Sequence, residues 1–153
     1  MMKKLSVGAW ITCAAAVLAL LGFFAYTANI GGEGYYQGAA VNNYGLAVWG
    51  AVICLAASIA LSLIKENKAT EILSGILRIA APALLAWALI SLIGARVDGL
   101  GYIFFSNADV AKEVQTPANL GSAHTAIWNM GFLGAAMLFS VIAAFFSLRK
   151  KDA

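Results

Sequence analysis

Hydrophobic residues in this chain occur in four long uninterrupted blocks that are separated by short polar segments. The blocks cover about residues 5–28, 44–64, 72–93 and 125–148. Each is long enough to cross the roughly 30 Å hydrocarbon layer of a bilayer as an α-helix, and a helix pairs its own backbone groups within lipid. The pattern therefore predicts an all-α integral membrane protein, with one domain over residues 1–153 built as a four-transmembrane-helix bundle.

The first block also has a competing interpretation. It follows Met1-Met2-Lys3-Lys4, and a basic start before an apolar run is typical of a secretory signal peptide. However, the run is longer than the apolar region of a signal peptide, and Tyr26 stands where a signal peptidase requires a small side chain. We therefore expect an uncleaved first helix.

The overall composition agrees with a membrane location. The chain is 62% hydrophobic and 11% charged, and its mean hydropathy is +0.85, which leaves too little polar surface to cover a soluble globule. Cys13 and Cys54 both lie inside apolar blocks, where we interpret them as small packing residues. The net charge of +3 comes from basic residues beside the blocks, so nucleic acid is not an expected partner, whereas the lipid bilayer is.

The distribution of lysine and arginine predicts the orientation, because basic loops are retained in the cytoplasm. An N-terminus on the cytoplasmic side leaves only Arg96 and Lys112 outside. It places eight basic residues inside or at the inner boundary: Lys3, Lys4, Lys65, Lys68, Arg78, Arg149, Lys150 and Lys151. We therefore expect both termini in the cytoplasm, two outer loops and a cell (inner or plasma) membrane location; the Met-Lys-Lys start suggests a bacterial protein.

The outer side carries all five tyrosines, which favours two interpretations. Aromatic side chains commonly form a belt at head-group level, but rings beside amide groups also hold sugars or peptides. The candidate ligand-binding residues on this side are Tyr35, Tyr36, Gln37, Asn42, Asn43, Arg96, Asp98, Tyr102, Asn107, His124 and Trp128.

Three ionisable residues could have special roles. Arg96, near the outer boundary, is expected to form a salt bridge with a carboxylate such as Asp98 or Glu33 that pins the two outer loops, or else to contact an anion in an outward pocket. His124 could join the outer carboxylates in a cation site, although their spacing matches no ligand pattern and a solvated polar rim is the simpler interpretation. Arg78 is expected to anchor the third helix at the inner boundary by extending its guanidinium towards the head groups. No metal and no cofactor are predicted.

The second outer loop is long enough to contain structure of its own. Residues 106–109 could cap a short helix that runs through Val114. Thr116 and Pro117 could start a further turn, and Ser122 could cap the last span.

Helix packing in lipid depends on small residues that allow backbones to approach closely. Such residues recur at helical spacing on the second and fourth spans, at Gly50, Cys54, Ser58, Gly131, Ala135 and Ser140. The spacing supports a bundle, but it does not separate packing within one chain from packing between copies.

No motif for a nucleophile with its base, a phosphate loop or a redox cysteine pair is present, so the sequence does not predict an enzyme. We expect an accessory or assembly subunit of a larger membrane complex, such as a transporter, with other membrane subunits or further copies of itself as partners. The alternatives are an outward-facing module that captures a sugar or peptide, and a homo-oligomeric channel or uncoupled facilitator. The serines that could line its path are Ser58, Ser62, Ser91 and Ser140.

Overall fold

The computed structural model describes residues 6–64 and 67–148. Within these ranges the helices are α1 (Val7–Gly31), α2 (Tyr44–Leu63), α3 (Lys68–Phe105), α4 (Ala108–Val114) and α5 (Pro117–Ala144). By length and composition, α1, α2, α3 and α5 could each cross a membrane. The predicted helical class and the four apolar spans are therefore confirmed. Six of the basic residues used to predict the orientation lie outside the described residues: Lys3, Lys4, Lys65, Arg149, Lys150 and Lys151.

Two of the long helices extend well beyond their apolar blocks. α3 continues to Phe105, through residues 94–105 that were expected to form a loop. α5 begins at Pro117 instead of near residue 125, with the Thr116 side chain accepting a hydrogen bond from the Asn119 N–H. Ser122 is therefore inside α5 and does not cap it. The predictions failed here because hydropathy marks the part of a helix that fits lipid, whereas a helix in a bundle can continue wherever neighbouring elements cover it.

The short helix between the third and fourth spans was predicted correctly. α4 begins after Asn107, whose side-chain oxygen accepts a 3.0 Å hydrogen bond from the Val110 N–H. The Gln115 side chain donates a 3.0 Å hydrogen bond to the Ile103 carbonyl, which ties the segment after α4 back to the end of α3.

The four long helices form a ring in which each packs against two neighbours. α1 and α3 lie on opposite sides, and each contacts both α2 and α5. α1 and α5 are antiparallel: Ser6 donates a hydrogen bond to the Ser147 carbonyl at one end, and Asn29 donates to the Ser122 carbonyl at the other. We call these the terminal end and the loop end of the bundle.

Small residues on α1 bring it close to α5. A Cβ atom added at Gly22 would lie 3.1 Å from the nearest side-chain carbon of Leu133, so the two backbones approach closely there. The middle of the bundle is filled by fully buried apolar side chains, namely Ala19, Val48, Ala51, Leu85, Leu92, Leu133 and Ala136. Large apolar side chains such as Ile79, Ile90 and Trp10 point outward, as expected for helices that face lipid.

α2 stops short of its neighbours at the loop end. Its first residue, Tyr44, lies level with Gly22 and Asn129, because its hydroxyl is 3.4 Å from the Gly22 carbonyl and 2.8 Å from the Asn129 side-chain oxygen. Beyond this level α1 continues to Gly31, and α5 begins as early as Pro117. At 1.5 Å per residue, both helices therefore extend roughly 15 Å past the start of α2. We call this extension of the bundle, residues 26–43 and 96–129, the crown.

At the terminal end, Arg78 joins α3 to the end of α5. Its Nη2 donates hydrogen bonds to the carbonyls of Ala143 and Phe146, which belong to the last turn of α5 and the residues that follow it. The last carbonyls of a helix carry the negative end of the helix dipole and can accept additional hydrogen bonds, so they are good acceptors for a cation. Arg78 therefore fastens two helices together, a role that hydropathy did not reveal.

Candidate functional site

The segment between α1 and α2, residues 32–43, fills the space that α2 leaves open in the crown. It turns at Gly34, which has φ +121°, and at Gly38, which has φ +71°. A Cβ atom at Gly34 would collide with the Ala118 carbonyl and with the Ser122 side chain. Glycine is required at Gly34 both for its backbone conformation and for the close approach to α5.

Arg96 holds this segment against α3. It is only 1% exposed, and its Nη2 donates a 2.7 Å hydrogen bond to the Ala39 carbonyl. Its guanidinium carbon lies 4.6 Å from the centre of the Tyr36 ring, within the range of a cation–π interaction. In return, the Tyr36 hydroxyl donates a 2.7 Å hydrogen bond to the Arg96 carbonyl.

A second set of contacts joins α1, α2 and α5 below Arg96. The rings of Tyr26 and Tyr44 are stacked with their centres 4.0 Å apart. The Tyr26 hydroxyl accepts a 2.7 Å hydrogen bond from the Val41 N–H, and the Tyr44 hydroxyl donates one of 2.8 Å to the Asn129 side-chain oxygen. The latter bond crosses the bundle between α2 and α5, which are not neighbours in the ring of helices.

A third set joins α1 to α5 through Ser122. The Asn29 side-chain amide donates to the Ser122 carbonyl at 2.7 Å and to its hydroxyl at 3.3 Å. The same hydroxyl accepts a 3.2 Å hydrogen bond from the Tyr36 N–H. We call the combined set the crown cluster: Tyr26, Asn29, Tyr36, Tyr44, Arg96, Ser122 and Asn129.

The cluster is buried and positively charged. Burial raises the pKa of the Tyr36 phenol from 10.0 to about 12, and the nearby Arg96 cation lowers it by less than burial raises it. The phenol therefore stays protonated near neutral pH and remains a hydrogen-bond donor. Three buried polar atoms of the cluster have no partner: Asn29 Oδ1, Arg96 Nε and Asn129 Nδ2. Chemically, such a cluster can hold a segment in place and can hydrogen-bond water or an anion.

The predicted salt bridge between Arg96 and Asp98 is not formed. Asp98 is exposed while Arg96 is buried; on a helix, residues two positions apart do not face each other. Among the described residues the ion pair is instead Lys112 with Asp109, at 3.8 Å on the exposed surface of α4. Arg96 instead holds residues 32–43 through a backbone carbonyl and an aromatic ring.

The other candidate ligand-binding residues separate into a pair and several isolated positions. Tyr35 packs edge-on against Tyr36, and its ring centre is 6.1 Å from that of Tyr102. Tyr35 and Tyr102 remain about half exposed, at 44% and 47%. The remaining candidates are exposed side chains that are not joined to this pair: Gln37, Asn42, Asn43, Asn107, His124 and Trp128.

His124 and Trp128 lie on the exposed face of α5. The His124 ring lies 6.1 Å from the Phe104 ring, and the Trp128 ring lies 5.8 Å from the Phe132 ring. In the part of the chain that the structure describes, no group of three His, Cys, Asp or Glu side chains could hold a metal ion.

The predicted packing residues take different positions. Ser58 and Ser140 are buried, whereas Cys54 and Ala135 are partly buried. Gly50 lies against Leu84 of α3, and a Cβ atom added at Gly50 would be only 3.2 Å from the nearest side-chain carbon of Leu84. Gly131 is exposed, and a Cβ there would meet nothing within 4 Å.

Sequence reasoning missed most of the crown cluster. The sequence places Tyr26 and Tyr44 with the other tyrosines in an interfacial belt, and Ser122 at a helix cap. Asn29 was not singled out. A usable signal was present, since Asn29 and Asn129 are amides inside otherwise apolar helices, where each needs a hydrogen-bond partner.

Comparison of the chain with protein-family models, curated proteins and solved structures found no match.

Proposed function

We propose that this chain is an accessory or assembly subunit of a larger membrane complex, and that it contacts its partner through the crown. The observation that carries the proposal is an aromatic ridge on the crown, formed by Tyr35, Tyr102 and Phe105. Phe105, one turn beyond Tyr102 on α3, is 87% exposed. The crown cluster fixes the segment that carries Tyr35, so the ridge is held ready for a partner, which reduces the entropy lost on binding.

The interior of the bundle supports an accessory role over a channel. Leu85, Leu92 and Leu133 are fully buried and fill the middle of the bundle. Ser58 and Ser62 donate hydrogen bonds of 2.7 and 2.6 Å to carbonyls of their own helix. This arrangement gives the channel alternative no support.

The test is purification in a mild detergent followed by native mass analysis. Phe105→Ser is compared with Phe145→Ser, because Phe145 is 86% exposed but lies at the terminal end. The proposal expects foreign membrane subunits in a fixed ratio with the native chain and with Phe145→Ser, and their loss with Phe105→Ser. A lone monomer, a ring of identical chains or equal loss from both variants would overturn it.

A second candidate function is the capture of a sugar or peptide, favoured by the half-exposed Tyr35 and Tyr102 rings. Tyr36 is unsuitable for testing it, because it is 2% exposed and holds the segment in place. Replacing Tyr35 and Tyr102 with alanine should weaken binding on a glycan or peptide array by about tenfold or more while the chain stays folded. Trp87→Ala, a half-exposed aromatic on another part of α3, is the control; equal binding by both variants would exclude capture at this pair.

We propose further that the terminal end faces the cytoplasm and that the crown lies on the outer side of the cell membrane. α2 has 20 residues, about 30 Å, which matches the hydrocarbon layer and leaves the crown at head-group level or beyond. Single cysteines can be introduced as Gln37→Cys and Lys68→Cys, both at exposed positions, after replacing Cys13 and Cys54 with alanine. A membrane-impermeant maleimide on intact cells should label only the first; labelling of the second alone would reverse the orientation.

A further inference from the structure

A polar cleft lies at the terminal end, away from the crown. Its volume is about 240 Å³, and it is bounded by the end of α2, the first turns of α3 and the residues after α5. The lining side chains that matter are Ser62, Glu71, Ser74, Arg78 and Leu148. Small-molecule sites usually start at roughly 300 Å³, so this volume suits a small polar group rather than a whole lipid.

Arg78 supplies a fixed cation to the cleft. Its Nη2 is held by the carbonyls of Ala143 and Phe146, whereas its Nε is buried and has no partner. An N–H group without an acceptor is costly when it is buried, and an oxygen anion satisfies it best. The guanidinium is therefore positioned by α5 at the wall of the cleft, and no carboxylate of the described residues forms an ion pair with it.

Glu71 supplies a carboxylate on the same face of α3. It stands seven residues before Arg78, which is about two turns or 10 Å along the helix. Ser74 lies between them, three residues from Glu71 and four from Arg78, so all three share one side of the helix. Glu71 is exposed and nearer the start of α3, whereas Arg78 lies deeper towards the middle of the bundle.

We propose that this cleft binds the phosphoethanolamine head group of a membrane lipid, with the phosphate on Arg78 and the ammonium on Glu71. The order of the charges carries the inference: in a lipid the phosphate lies next to the acyl chains, and the ammonium lies at its water-facing side. The cleft has its cation deep and its carboxylate near the terminal end. Ser74 also lines the cleft between Glu71 and Arg78, so its hydroxyl is available to the phosphate.

The charge pattern distinguishes this ligand from the other common lipids. An anionic phosphatidylglycerol would place no cation beside Glu71, and phosphatidylcholine would bring a quaternary ammonium that cannot donate a hydrogen bond. Lys68, exposed beside the cleft, would attract anionic lipids without requiring Glu71. A preference for phosphatidylethanolamine that depends on Glu71 is therefore the signature of the site.

The experiment measures lipid retained by the full chain, using native mass analysis after exchange into nanodiscs that contain equal parts of the three lipids. The native chain and Glu113→Gln, which removes an exposed carboxylate of the crown, should retain phosphatidylethanolamine over the other two by about tenfold. Glu71→Gln should lose this preference, and Gly75→Leu should lose the bound lipid, because a leucine at this cleft-lining position would fill the space. Retention of phosphatidylglycerol as well as phosphatidylethanolamine by the native chain, or an unchanged preference in both variants, would overturn the proposal.

A soluble competitor separates a lipid from a free phosphoester. Glycerophosphoethanolamine has the same head group but no acyl chains. It should fail to displace the bound lipid at millimolar concentration; displacement there would show a site for a soluble phosphoester and would overturn the assignment to a lipid. Because the cleft is at the opposite end from the aromatic ridge, these results are independent of the proposed accessory role.

Discussion

Tyr36 and Arg96 make two contacts, one through the side chain of each residue. The Tyr36 hydroxyl donates to the backbone carbonyl of Arg96 at 2.7 Å, and the Arg96 guanidinium lies over the Tyr36 ring at 4.6 Å. This pair of contacts joins a segment without regular secondary structure to the last third of α3. It makes residues 32–43 an integral part of the crown rather than a free surface loop.

Replacing Arg96 should release this segment. Arg96→Gln removes the cation–π contact and the hydrogen bond to Ala39, and we expect the free energy of unfolding to fall by about 2–3 kcal/mol. Limited proteolysis within residues 32–43 should accelerate at the same time. Asp98→Asn, an exposed change two residues away, is the control and should stay within about 0.5 kcal/mol. Equal stability of the two variants would show that Arg96 does not hold the segment.

The hydrogen bond between Tyr44 and Asn129 should couple α2 to α5. Tyr44→Phe leaves the buried Asn129 oxygen without its partner and should cost about 0.5–2 kcal/mol. Adding Asn129→Leu to that variant should recover part of the loss, because both polar groups are then gone. Steric trapping or reversible unfolding in detergent would measure the free energy of unfolding of the native chain, of each single variant and of the double variant. Strictly additive effects of the two substitutions would argue against the bond.

Gly99 should tolerate no side chain. A Cβ there would lie 2.5 Å from a ring carbon of Tyr35 and 2.6 Å from the Tyr36 hydroxyl. Gly99→Ala should therefore lower the thermal midpoint by several degrees, against the normal helix preference for alanine. Gly94→Ala lies in the same helix with open space around it and should be neutral or stabilising. A stabilising Gly99→Ala would contradict the close packing of Tyr35 and Tyr36 on α3.

Alkaline pH should loosen the crown. The pKa of Tyr36 is raised by burial from 10.0 to about 12, so the folded state holds its proton more tightly than the unfolded state. The resulting stability is present below pH 10 and is lost as the pH rises from 10 towards 12. Tyr36→Phe should be less stable at pH 8, because its bond to Arg96 is missing, but its stability should fall less between pH 10 and 12. An identical alkaline fall in both proteins would exclude Tyr36 as its source.

The extent of the bundle could be predicted only in part from the sequence. Hydropathy located the four spans because a helix pairs its own backbone groups in lipid and needs only a long run of apolar side chains, which is visible in the sequence. It ended the third span near residue 93, whereas α3 continues to Phe105. The mixed segment from Gly94 onward forms a helix because α5 and residues 32–43 cover one side of it.

The sequence by itself determined that the chain has four helices suited to lipid, and the Asn107 cap determined the short helix that follows α3, since both depend on contacts close along the chain. Only the tertiary structure decided what the polar residues do. Arg96 had a nearby carboxylate in Asp98, yet its hydrogen-bond acceptor is a carbonyl 57 positions away, and the partner of Tyr44 is 85 positions away. Which residues become partners depends on how far each helix is shifted along the bundle relative to its neighbours. That relative shift is fixed only when all four long helices pack together.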